Sequence, residues 1–200
     1  MKKRLSILLI LLLIVSTGLF AGILNLSVGA TAQYKISATE VSDAEFMGDI
    51  ENWAFGPDVR LRLLFAEVGV TGLYSPREDG GHVLSGLMTG GVSFDVLGML
   101  RIGLGLGPRI AASFDKDFGH PQIFVAGEGL VDSTFGEAFM NAPMTYRATV
   151  DFKLSKFLIG LNYTIDSDGF TFANTDFGSL VPNFKDNPGK IGVSVLFSIF

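Results

Sequence analysis

The chain has 200 residues, a length that suits one domain. It is 48% hydrophobic and only 18% charged, below the quarter or so usual for a soluble globule, and it carries 25 glycines and 18 phenylalanines. With no cysteine there is neither a disulfide framework nor an acylated N-terminal cysteine, and a net charge of −5 argues against a nucleic-acid binder.

Residues 1–21 have the parts of a secretory signal peptide. Lys2, Lys3 and Arg4 form a basic start, Leu5 to Val15 an apolar centre, and Ala21 or Gly22 a small residue at the cut. Without that segment, 12 Lys and Arg stand against 20 Asp and Glu, a net charge of −8. Ala30-Thr31-Ala32 is a better match to a cleavage site, but a cut there would destroy the first strand, so cleavage near Ala21 or Gly22 is expected.

From residue 24 onward the apolar residues recur with a period of two, which in a strand gives one apolar and one polar face. The first stretch sets Leu24, Leu26, Val28, Ala30, Ala32, Tyr34 and Ile36 against Asn25, Ser27, Thr31, Gln33 and Lys35. The second sets Trp53, Phe55, Val59, Leu61, Leu63 and Phe65 against Asp58, Arg60 and Arg62. A short third stretch has Val68, Val70 and Tyr74 on its apolar face. In the fourth, Leu84, Met88, Val92, Phe94 and Val96 share a face that Leu87 breaks. The fifth opposes Leu100, Ile102, Leu104, Leu106, Ile110 and Phe114 to Arg101 and Arg109. Three more follow: Met144 to Leu154 against Arg147, Asp151 and Lys153; Phe157 to Ile165 against Asn162 and Thr164; and Ile191 to Ile199 against Lys190, Ser194 and Ser198.

That makes eight strands. Tight turns are expected near Phe65–Glu67, Leu97–Met99 and Ser155–Lys156, and longer connections at 37–50, 76–82, 115–142 and 167–188. Alternating short and long connections belong to strands that run up and down through a slab, and strands of about 9–11 residues span a bilayer when tilted. The phenylalanines and Trp53 on the apolar face would overfill the inside of an eight-stranded barrel, so that face is expected to point outward, toward lipid. The expected fold is all-β, an eight-stranded antiparallel up-and-down transmembrane barrel; the alternative is a soluble periplasmic barrel of lipocalin type.

On this pattern, and on the terminal Phe200, residues 22–200 resemble the small outer-membrane barrels of Gram-negative-type bacteria, the OmpX, OmpW and OmpA-barrel group. The resemblance implies an outer-membrane location, contact with outer-membrane lipids, and a last strand whose terminal aromatic is read by the barrel-assembly machinery. Phe200 shares parity with Ser198 and Ser194 rather than with the apolar face, which sets it beyond the strand proper.

Asp58, Arg60, Arg62, Glu67, Asp95, Arg101, Arg109, Arg147 and Asp151 are expected inside, as a paired network that plugs the lumen; the other reading is a charged constriction that selects ions. Pro57 and Pro108 each follow a glycine and cannot donate to a ladder, so a rim bulge is expected there, with a lateral opening as the alternative. Phe118, Phe124, Phe135 and Phe139 in one loop, and Phe170, Phe172, Phe177 and Phe184 in another, either line the entrance for a hydrophobic small molecule or pack as a cap. The acidic loop with Glu40, Asp43, Glu45 and Asp49 reads as a solvated charge run. His82 and His120 lie in separate loops with no recognisable partner spacing, so the expected function is non-enzymatic, and no cofactor or metal is implied. A lipid-modifying enzyme is the remote alternative.

Overall fold

The structure, a computed structural model, describes residues 24–36, 50–119, 121–125, 129–131, 134–185, 187 and 189–200. The expected signal peptide, the acidic loop and His120 lie outside the described residues.

Eight strands close into a barrel: β1 (Leu24–Lys35), β2 (Trp53–Leu63), β3 (Ala66–Pro76), β4 (His82–Val96), β5 (Leu100–Phe114), β8 (Met144–Leu154), β9 (Phe157–Asp166) and β10 (Lys190–Ser198). Each pairs antiparallel with its neighbours in the chain of barrel strands, and β1 meets β10 from Ser27↔Ser198 to Lys35↔Lys190, which leaves no free edge on the barrel. The short connections lie at one end. Leu64, Leu97 and Ser155 adopt positive φ there, at 57°, 53° and 56°. The first turn is Leu64–Phe65, and Glu67 already belongs to β3.

The segment 115–142 is more ordered than a loop. Its β6 (Gln122–Val125) and β7 (Gly129–Val131) form a hairpin that pairs with the far end of β5 through Ala112↔Ile123 and Ser113↔Gln122. A short helix follows, α1 (Phe135–Met140), opened by a capping box in which the Thr134 hydroxyl accepts from the Glu137 N–H and the Glu137 carboxylate accepts from the Thr134 N–H. β4 and β5 have 15 residues each and outrun the other barrel strands, which gives this hairpin an edge to join.

The expected faces are the ones observed. Val68, Leu104, Ile159, Leu161, Val193 and their neighbours are exposed on the outer wall, whereas Ser27, Thr71, Thr149, Asn162 and Ser194 are buried in the lumen. This inverts the order of a soluble protein. On the outside, Phe65, Phe94, Phe152, Phe157 and Phe197 ring the short-turn end. Trp53, Phe55, Tyr74, Tyr146 and Tyr163 stand at the other end of their strands, with aliphatic residues between the two rings.

Leu87, the residue that broke the alternation of β4, points inward with Leu73, and both are buried, as are the inward Leu158 and Leu196 nearer the short-turn end. The lumen is therefore not polar throughout.

Neither proline makes a bulge. Between β2 and β3 the pairing runs Phe55↔Tyr74 and resumes at Asp58↔Thr71 with the same offset. Between β4 and β5 it runs Leu87↔Arg109 and resumes at Gly90↔Leu106, again unshifted. Two residues drop out of each ladder and no extra residue is inserted, which corrects the expected rim bulge. The backbones do not part either. A Cβ on Gly56 would lie 2.8 Å from the Gly72 carbonyl carbon, and one on Gly107 would lie 3.0 Å from the Thr89 Cα. The two Gly-Pro pairs are closely packed seams on either side of the β3–β4 hairpin.

Candidate functional site

The inward charges form three tiers. The central one gathers on Asp58, whose carboxylate accepts from Arg147 at 2.7 and 3.0 Å, from Arg60 at 2.9 and 3.1 Å, and from the Thr71 hydroxyl at 2.9 Å. Arg60 also donates to Asp151 at 2.7 Å and to the Ser194 hydroxyl at 3.0 Å. Asp58, Arg60, Arg147 and Asp151 are each at most 4% exposed. Asp58 and Arg60 sit on β2, and Arg147 and Asp151 on β8, four strands away around a ring of eight. The ion pairs thus cross the full width of the lumen.

At the short-turn end Asp95 accepts from Lys153 at 2.9 Å, Arg101 at 3.0 Å and Arg62 at 3.1 Å. Arg101 reaches on to Asn25 at 3.1 Å, and Asn25 donates to the main-chain oxygen of Phe200 at 2.7 Å. Phe200 itself lies past the end of β10. At the long-loop end Arg109 pairs with Asp166, whose other oxygen accepts from Thr145 at 2.5 Å. Glu67 faces the lumen beside Arg60, Arg147 and Thr149, around a cavity of about 10 Å³, and among the described residues no ion pair reaches it. Eight of the nine charges expected inside are therefore paired with one another or with Lys153 and Asp166; Glu67 stands apart.

The loop phenylalanines do not surround the mouth of the lumen as one set. Phe118 stacks on His82, ring centres 4.1 Å apart, and the His82 Nδ1 lies 2.9 Å from the Tyr74 hydroxyl. Phe139 stacks on Phe172 at 5.4 Å and Phe170 meets Phe177 at 5.9 Å. Several of them, Phe139 included, fold down over the outside of the wall. Phe135 and Phe139 of α1, with Ile123 of β6, overhang a groove of about 620 Å³ on β2–β5. Val181, Pro182 and Phe184 overhang a second, of about 670 Å³, on β4, β5, β8 and β9, where the Tyr146 hydroxyl donates to the Leu180 carbonyl at 3.0 Å. Phe124 lies on β6, 39% exposed. Sequence reasoning missed both grooves, because nothing in a period of two says which way a loop falls.

These features define a closed, up-and-down eight-stranded antiparallel β-barrel with a charged interior and an apolar exterior. No family model matches the chain, and no curated protein does. Among solved structures it is similar to Ail, the attachment invasion locus protein of Yersinia pestis, at 14% identity over 88% of this chain and 96% of that one, with a TM-score of 0.43. It is also similar to Neisserial surface protein A, at 12% identity over 88% and 94%, TM-score 0.42, and to a designed transmembrane β-barrel, at 11% identity over 88% and 95%, TM-score 0.44. Among the described residues no helix is long and apolar enough to cross a membrane, which says nothing about strands, and no group of His, Cys, Asp and Glu could hold a metal.

Proposed function

We propose that this chain is an integral outer-membrane barrel whose lumen is sealed and whose role is non-enzymatic, exercised through its outer wall and loops. The aliphatic band between two aromatic rings supports membrane insertion, since such girdles settle at the two interfaces of a bilayer. Backbone groups in hydrocarbon must pair within the protein, and closing β1 on β10 does that.

The observation that carries the sealed lumen is the central tier. Four buried charges from opposite strands join across the middle of the barrel, and an eight-stranded interior is only wide enough for its own side chains. The non-enzymatic reading is supported at His82, whose Nδ1 is engaged by Tyr74 and whose ring is covered by Phe118.

The test is single-channel recording of the refolded protein in a planar bilayer. The native chain is expected to insert and stay silent. A quadruple variant, Asp58→Ala, Arg60→Ala, Arg147→Ala and Asp151→Ala, is expected to admit small ion steps because it removes both pairs that cross the lumen, Asp58–Arg147 and Arg60–Asp151. Discrete steps from the native chain would overturn the sealed lumen and favour a narrow channel for small solutes, in which the same charges set selectivity.

A further inference from the structure

The geometry points to a binding site for a single hydrocarbon chain on the outer wall of the barrel, in the groove between Pro57 and Pro108 beneath α1. This rests on the membrane reading above but is separate from the lumen. The Gly-Pro seams bound the groove on its two sides, and the β3–β4 hairpin is its floor. Gly72 and Gly86 keep that floor low: both are outward positions by register, and a Cβ on Gly86 would meet nothing within 4 Å. The walls are Phe55, Leu84 and Met88, and the roof is Ile123, Phe135 and Phe139.

Three observations select the occupant. No lining residue is charged, so the buried part of the ligand carries no charge either. The volume of about 620 Å³ falls in the range of pockets that enclose one small ligand. A second copy of the chain would need a broad flat face, about 800 Å² on each partner, and the overhang of α1 denies it one. The groove is also continuous with the exposed aliphatic band below it through Val70 and Met88, so a chain could enter along the wall from lipid. The occupant is thus an acyl chain held against the outside of the barrel, with the aromatic loop residues as its clasp.

The single tryptophan provides the readout. Trp53 stacks on Phe55, ring centres 5.8 Å apart, and Phe55 lines the groove. The protein is refolded into dioleoylphosphatidylcholine vesicles and titrated with 9,10-dibromostearic acid, whose bromines quench tryptophan at contact. The expected result is quenching that saturates, is lost in Gly86→Phe, which fills the floor, and survives in Leu161→Phe on the far wall. Quenching that only rises in proportion to probe, or that Gly86→Phe leaves unchanged, overturns the site and means ordinary lipid contact. If Gly86→Phe does not insert, Phe139→Ala decides: loss of part of the roof should weaken the saturable binding about tenfold, and unchanged binding overturns the site. A native chain that fails to insert at all would instead refute the membrane reading. Cross-linking of two barrels through Gly86→Cys would overturn the acyl-chain assignment in favour of a second copy.

Discussion

Asp58 holds the centre of the lumen because it satisfies two guanidinium groups and one hydroxyl at once, with no water-accessible surface of its own. A buried charge is tolerable only when its partners are fixed, and removing one partner strands the rest. In Asp58→Ala, Arg60 keeps Asp151, but Arg147 loses the one carboxylate with which it forms an ion pair among the described residues. The expected loss is about 3–5 kcal/mol, read from the urea midpoint of the protein refolded in vesicles. Thr71→Val removes a hydroxyl that donates to Asp58 at 2.9 Å and accepts from Arg147 at 2.6 Å, and is expected to cost about 2 kcal/mol. Equal, small effects from the two variants would mean that water reaches the tier and screens it.

The strands carry a different constraint, set where β2 meets β3 and β4 meets β5. Pro57 and Pro108 remove ladder donors, and the adjoining glycines let the strands close over the loss. Gly107→Ala would drive a methyl into the Met88–Thr89 backbone, 2.8 Å from the Met88 carbonyl carbon, where no side chain can yield. A destabilisation of about 1–3 kcal/mol is expected, as for an overpacked core. Gly90→Ala on the neighbouring strand meets nothing within 4 Å and is expected to gain up to about 1 kcal/mol from its better backbone entropy. The same urea series separates the two, and equal effects would mean the seams are loose. Much at this scale was legible beforehand: the period of two places Arg60, Arg147 and Asp151 inside and Leu61, Val150 and Phe152 outside. What it does not contain is the stagger of one strand against the next, so it cannot say that Asp58 meets Arg147, 89 positions away. Nor can it place α1, whose six residues are too few to show a helical period.

For the molecule as a whole, the decisive quantity is the medium against the outer wall. A soluble barrel and a membrane barrel with this register share every hydrogen bond; they differ in what a charge on the wall would meet. Leu161 sits midway along β9, outward and 57% exposed, between Phe157 and Tyr163 of the two aromatic rings. If water surrounded it, Leu161→Arg would be neutral or favourable. In a bilayer the same change sets a guanidinium near the midplane, at a cost of about 2–4 kcal/mol. The cost should fall toward about 0–1 kcal/mol for Phe157→Arg, at the end of the same face, where the side chain reaches the interface. Stability measured by urea in vesicles across Phe157, Ile159 and Leu161, each changed to arginine, should therefore fall steadily from the first to the last. A flat series would refute the membrane assignment whatever the barrel's shape, because depth dependence comes from the hydrocarbon and not from the protein.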